Sequence, residues 1–159
     1  MARHGTRSPT TKRIKELDEL AVHLDALLTG AKQNAQGHNF SIKKIPKWLW
    51  GWKSPWKGKG KGGELVNKGE DELYNLGIRV GKRFSDLFRD EYHPDVFSIR
   101  ATQVPRASAS AIAFGMGLFT GKGDLGLGKH HAFAVTSESR ASDMNLRFFD
   151  SCTTYKVWI

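Results

Sequence analysis

The sequence predicts an α/β layered fold in which helices pack on a mixed sheet. Three stretches repeat apolar residues at spacings of three and four, over residues 11–29, 69–88 and 105–119. Two short runs rich in β-branched and aromatic residues, 96–101 and 132–136, alternate with the later helices. The 159 residues suffice for one domain with its own core, and no internal repeat divides them.

Taken in order, Ile14, Leu17, Ala21, Leu24 and Leu28 form the apolar stripe of the first helix, and Thr29-Gly30 supplies its expected stop. Residues 31–63 show no period, are rich in Gly, Lys and Trp, and are interrupted by Pro46 and Pro55, so a long loop is expected. The second helix carries Leu73, Leu76, Val80, Phe84 and Phe88. Glu70, Asp71 and Glu72 suit the positive end of its dipole. His93-Pro94 breaks the chain before the first strand. The third helix opens on Pro105 and presents small residues on one face and Ile112, Met116 and Phe119 on another. Gly121 to Gly128 reads as a flexible link.

Charge is unevenly placed. The net charge is +9; residues 1–63 hold 13 Lys and Arg against 4 acids, and the other 96 residues hold 12 of each. Such a concentrated positive field favours an anionic partner: a phosphate ester, nucleic acid or an acidic membrane surface. No apolar run reaches membrane-spanning length, and no signal peptide is read. The single cysteine, Cys152, has no internal partner for a disulfide and is expected as a buried free thiol or one paired beyond Ile159.

Chemistry concentrates at Arg3-His4-Gly5-Thr6-Arg7-Ser8-Pro9. Phosphoryl transfer needs charge stabilisation around three equatorial oxygens. Arg3 and Arg7 offer planar, permanently charged forks. His4 between them offers a ring nitrogen as covalent nucleophile. Gly5 lets the backbone approach a ligand closely. A second candidate site runs from strand to helix through Arg100-Ala101-Thr102-Gln103-Val104-Pro105-Arg106. Ligands of α/β proteins bind at the carboxyl ends of strands, and Arg106 would project from a first helical turn whose free N–H groups also favour anions. Arg100, on the strand, suits a structural ion pair.

These residues resemble the histidine acid phosphatases, and more closely the multiple inositol polyphosphate phosphatases of plant type. The resemblance covers the whole chain: RHGTRSPT at Arg3 to Thr10, GGELVNKGEDELYNLGIRV at Gly62 to Val80, PDVFSIRATQVPRASASAIAFGMGLF at Pro94 to Phe119, and LRFFDSC at Leu146 to Cys152. It implies a histidine phosphatase-like (phosphoglycerate mutase-like) fold, present in part. It implies that His4 is the phosphohistidine nucleophile, that Arg3, Arg7 and Arg106 hold the scissile phosphate, and that Thr10 lines the pocket. The implied substrates are inositol hexakisphosphate and lower inositol phosphates, with 2,3-bisphosphoglycerate a further candidate. It implies no metal and no other cofactor, no nucleic acid or protein partner, and a secretory-pathway location for the parent protein.

The departures are as informative. The family's acidic proton donor sits in a His-Ala-Glu segment; His131-Ala132-Phe133 is the nearest string here, and Phe cannot donate a proton. Only Met1 and Ala2 precede Arg3, too few for the strand that leads into the motif. The expectation is a partial catalytic domain spanning 1–159, incomplete at both ends and of little or no activity alone. A general acid contributes about 10²–10⁴-fold.

Other signals weigh less. Lys43, Lys44, Lys47, Lys53, Lys57, Lys59 and Lys61, interleaved with Trp48, Trp50, Trp52 and Trp56, suit a pocket-rim loop that attracts a polyanionic substrate. The alternative is a non-catalytic basic module for nucleic acid, which requires affinity that His4→Ala leaves unchanged and salt weakens steeply. A general acid phosphatase of other specificity is the enzymatic alternative. Gly121-Lys122-Gly123-Asp124-Leu125-Gly126 matches a dinucleotide pattern but follows a helix, not a strand. His130 and His131 are adjacent, so their side chains diverge and suit a loop rather than a metal. Asn39-Phe40-Ser41 is a glycosylation sequon.

Overall fold

A computed structural model describes residues 1–34, 44–59 and 61–157. The elements are α1 (Thr11–Asn34), a 3₁₀ turn (Lys47–Leu49), α2 (Asn67–Arg83), β1 (Ile99–Arg100), α3 (Pro105–Leu118), β2 (Val135–Thr136), α4 (Phe148–Ser151) and α5 (Thr153–Val157). The chain forms two compact units, one of Met1–Ser8 with Glu64–Ile159, the other of Pro9–Gly63.

The larger unit is built on α2 and α3, whose contact is glycine-lined. A methyl group at Gly77 would lie 2.2 Å from the Phe114 carbonyl oxygen, and one at Gly117 would lie 2.0 Å from that of Tyr74. The helices therefore meet backbone to backbone, closer than side chains would permit. Beyond α3 the core is aromatic. Phe119, 1% exposed, packs edge-on against Tyr92 and Phe97 at 5.3 and 5.5 Å between ring centroids. Phe88, Phe114 and Phe133 pack around them.

Both strands are shorter than the sequence predicts. Val96 and Phe97 both donate to the His93 carbonyl, so the chain turns after Pro94 and extends only at Ile99. Ala134 N–H donates to the Tyr92 hydroxyl instead of a strand, while Phe133 turns against Gly115, and β2 is left with Val135 and Thr136. The strands pair in parallel, Ile99 with Val135 and Arg100 with Thr136, and α3 is the helix between them. The expected mixed sheet is thus, among the described residues, a parallel pair. Helix α2 ends at Arg83, not Phe88. Residues 84–88 tighten into turns that deliver Phe88 to the aromatic core and leave Phe84 47% exposed.

In the smaller unit, Ile14 and Leu28 are buried and Leu17, Ala21 and Leu24 half-buried, the face that the spacing predicts. Helix α1 runs through the expected stop at Gly30 to Asn34. An interior glycine costs only about 1 kcal/mol, and Ala31, Lys32 and Gln33 favour continuation. Lys32 Nζ stands 4.5 Å over the Trp50 ring. Thr10 Oγ1 accepts from Arg13 N–H at the start of α1. The stem closes where Gly63 N–H donates to the Pro9 carbonyl, and Gly62 packs against the Pro9–Thr11 backbone with no room for a Cβ. Residues 35–43 and 60, including Lys43 and the Asn39 sequon, lie outside the described residues.

Candidate functional site

The Arg3–Ser8 segment is fastened to the larger unit from three sides. Arg7 bridges Leu65 in antiparallel fashion, Ser8 N–H donates to the Glu64 carbonyl at 2.8 Å, and Val66 N–H donates to the Thr6 carbonyl at 3.2 Å. Beneath this short ribbon Gly5 lies on Gly69, the third residue of α2. A Cβ on Gly5 would meet the Gly69 carbonyl oxygen at 2.2 Å, and one on Gly69 would meet that of Thr6 at 2.2 Å. On the third side Gly5 N–H donates to Ser110 Oγ at 3.1 Å, and that hydroxyl donates to the Arg106 carbonyl at 2.7 Å. Ser110, 4% exposed, thus joins the His4–Gly5 peptide to the first turn of α3.

His4 Nδ1 lies 2.8 Å from the Gly5 carbonyl oxygen. A carbonyl only accepts, so Nδ1 carries a proton, and in the neutral imidazole the lone pair is on Nε2. That tautomer is the one a nucleophilic imidazole needs.

The arginines are treated unequally. Arg100 pairs with Glu138 at 3.4 Å, the structural role its strand position suggests. Among the described residues Arg3, Arg7 and Arg106 enter no ion pair. Arg7 Nη1 donates to the Ser8 carbonyl, and Arg106 Nε is buried with no hydrogen-bond partner. An unpaired buried donor is costly unless a ligand satisfies it. No side chain caps the N-terminus of α3, where Arg106 sits; Pro105 has no N–H to satisfy, and Ala107 and Ser108 N–H both donate to the Val104 carbonyl. The expected residues Arg3, His4, Arg7 and Arg106 fall in one unit, and Ser110 links the backbones of the motif and Arg106. Thr10 falls in the other unit. A separate cleft of about 210 Å³, lined by Arg100, Thr136, Glu138, Asp143 and Asn145 among others, includes none of the four.

Two contributors escaped sequence reasoning. Ser110 follows Arg106 by one helical turn, the only local hint of its place. Glu72, read as a dipole acid, instead reaches the motif: its carboxylate accepts Thr6 N–H at 2.9 Å and the Thr6 hydroxyl at 2.8 and 2.9 Å. The Thr6 backbone bond, then the hydroxyl bond, hold this carboxyl below its usual 4.5; slight burial opposes them and Lys68 assists. The unfolded chain therefore takes up this proton first on acidification. Glu72 is expected to stabilise the fold fully above pH 4.5 and to lose that contribution as pH falls through its lower folded value. Melting curves of the parent and Glu72→Gln should differ at neutral pH and converge in acid; a gap constant with pH would contradict this.

Among the described residues no group of three or more His, Cys, Asp and Glu side chains is placed to hold a metal, and no helix is long and apolar enough to cross a membrane. Cys152 is a half-buried free thiol.

A histidine with Nδ1 bound to a backbone carbonyl, in one unit with three arginines that enter no ion pair among the described residues, suits an anionic ligand. The model of the histidine phosphatase superfamily (branch 2) matches residues 1–159, and the chain belongs to that family. It is 31% identical over 156 residues to multiple inositol polyphosphate phosphatase 1 of Dictyostelium discoideum, covering 98% of this chain and 23% of the relative. The Homo sapiens protein of the same name is 28% identical over 170 residues, with 98% and 31% covered. A thiamine-repressible acid phosphatase of Schizosaccharomyces pombe is 26% identical over 156 residues, with 98% and 32% covered. The chain thus spans between about a quarter and a third of the length of these relatives.

Proposed function

We propose that this chain carries the nucleophile and phosphate-binding part of a phosphomonoester hydrolase site for inositol polyphosphates, acting through a phosphohistidine. The observation that carries the reading is the His4–Gly5 hydrogen bond, which makes Nε2 the free nitrogen of the neutral imidazole, together with three arginines of the same unit that enter no ion pair among the described residues. In the proposed step Nε2 attacks phosphorus, the bond to the inositol oxygen breaks, and the leaving oxygen takes a proton. Arg3, Arg7 and Arg106 would spread their charge over the equatorial oxygens. Water then hydrolyses the phosphohistidine to inorganic phosphate.

The names of the relatives support inositol polyphosphates over other monoesters, since two of the three carry that description. The leaving-group proton has no donor in the His-Ala-Glu form here, so the chain alone should label His4 slowly and turn over weakly. Family resemblance supports a small polyphosphorylated partner and a secretory-pathway setting for the parent protein.

The test is transfer of ³²P from labelled inositol hexakisphosphate, followed as acid-labile, base-stable phosphohistidine. His4→Ala should abolish the label, and Arg106→Ala should slow its appearance about 10²-fold or more. Equal labelling of the His4→Ala chain would remove the nucleophile assignment.

A further inference from the structure

We propose that Glu72 is a positioning residue for His4, acting through the Gly5–Thr6 peptide. One peptide unit lies between them. Its N–H, on Thr6, donates to Glu72 Oε2 at 2.9 Å, and its C=O, on Gly5, accepts from His4 Nδ1 at 2.8 Å. A negative charge at the N–H end polarises the peptide and makes its carbonyl a stronger acceptor. Bonds linked in such a chain strengthen one another by roughly 10–30% each. The stronger carbonyl holds the Nδ1 proton, fixes the tautomer and makes Nε2 more basic. A carboxylate thus orients and activates a histidine as one does in a hydrolase triad, with a peptide group inserted between them.

Three features suit this role over that of a tether. The Thr6 hydroxyl donates to the same carboxylate, so Glu72 is gripped by two groups of one residue and its charge stays at the peptide. Those bonds favour the ionised carboxylate and hold its pKa below the usual value. The peptide cannot drift, because Gly5 lies on the Gly69 backbone and Gly5 N–H is taken by Ser110. The inference rests on the proposed nucleophilic role of His4, but its first readout does not need phosphoryl transfer.

Glu72→Gln keeps an oxygen for Thr6 N–H while removing the charge, and Glu72→Ala removes both. In the 159-residue chain, long-range ¹⁵N–¹H spectra of the imidazoles, with His4 assigned from the His4→Ala spectrum, report its tautomer. Glu72→Gln should mix the two tautomers that the parent resolves as one. Phosphohistidine formation should slow about tenfold, and further in Glu72→Ala. Asp71→Asn removes a neighbouring charge from the same helix and should change neither. An unchanged His4 tautomer in both Glu72 variants would overturn the relay, as would equal mixing in Asp71→Asn. Altered tautomers with no labelling of the parent chain would keep the positional effect and overturn the nucleophile reading instead.

Discussion

Gly117→Ala is expected to produce the largest loss of stability of any single methyl group added to this protein. The new Cβ would lie 2.0 Å from the Tyr74 carbonyl oxygen and 2.8 Å from its carbon. Backbone in mid-helix cannot rotate away as a side chain can, so α2 and α3 must separate along their contact. Overpacking of a well-filled core costs about 1–3 kcal/mol and occasionally more. A forced backbone separation belongs at or above the top of that range, near 3 kcal/mol. At roughly 2–4 °C per kcal/mol for a chain of this size, the midpoint should fall by about 6–12 °C. Gly81→Ala is the matched control on α2. Its Cβ would meet Leu118 at 3.3 Å, a contact a small shift can relieve, and alanine is the better helix former by about 1 kcal/mol. That variant should melt at or above the parent. A Gly117→Ala chain that melts with the parent would mean the helices do not meet at their glycines.

Gly5→Ala is expected to do at the site what Gly117→Ala does in the core. Its Cβ would stand 2.2 Å from the Gly69 carbonyl oxygen, so the motif must lift from the start of α2. Lifting it strains the Gly5–Ser110 bond and the Thr6–Glu72 bonds, which hold the motif against α2 and α3. Misplacement of about 1 Å costs on the order of 10² in rate. Labelling of His4 should therefore fall about 100-fold or more, while the midpoint moves less than in Gly117→Ala because the aromatic core is untouched. Gly69→Ala, which presses the Thr6 backbone from the other side, should reproduce the effect. Labelling of Gly5→Ala at the parent rate would show that the loop does not rest on α2.

The helices were legible wherever their apolar residues kept a strict period. The stripe of α1 faces inward as spaced, buried at Ile14 and Leu28 and half-buried between them, and α3 begins at the proline that marked it. Boundaries failed where a tertiary partner outbid local preference. Phe88 left α2 for an aromatic cluster that includes Tyr92 and Phe119, and Ala134 gave its N–H to a tyrosine rather than a strand. Val96 and Phe97 read as strand by residue type, yet one carbonyl, that of His93, takes both their N–H groups. Periodicity cannot foresee such competitors, because they lie in other elements.

The opening motif separates what each level decides. The sequence alone supplied the candidate residue types, the permanently charged forks of Arg3, Arg7 and Arg106 and the imidazole of His4. It also determined the inward face of α1, but not that of α3, where Ile112 and Met116 are exposed and small residues such as Ala113, Gly115 and Gly117 are buried. Only the tertiary structure decided what holds the motif in place: Ser110, 105 residues from Gly5; Glu72, 66 residues from Thr6; and the bare backbone of Gly69. A hydroxyl, a carboxylate and a glycine carry no signature of such roles in local sequence. Their meaning comes from which peptide group lies within hydrogen-bonding or van der Waals contact when the helices close, and that contact exists only in the folded chain.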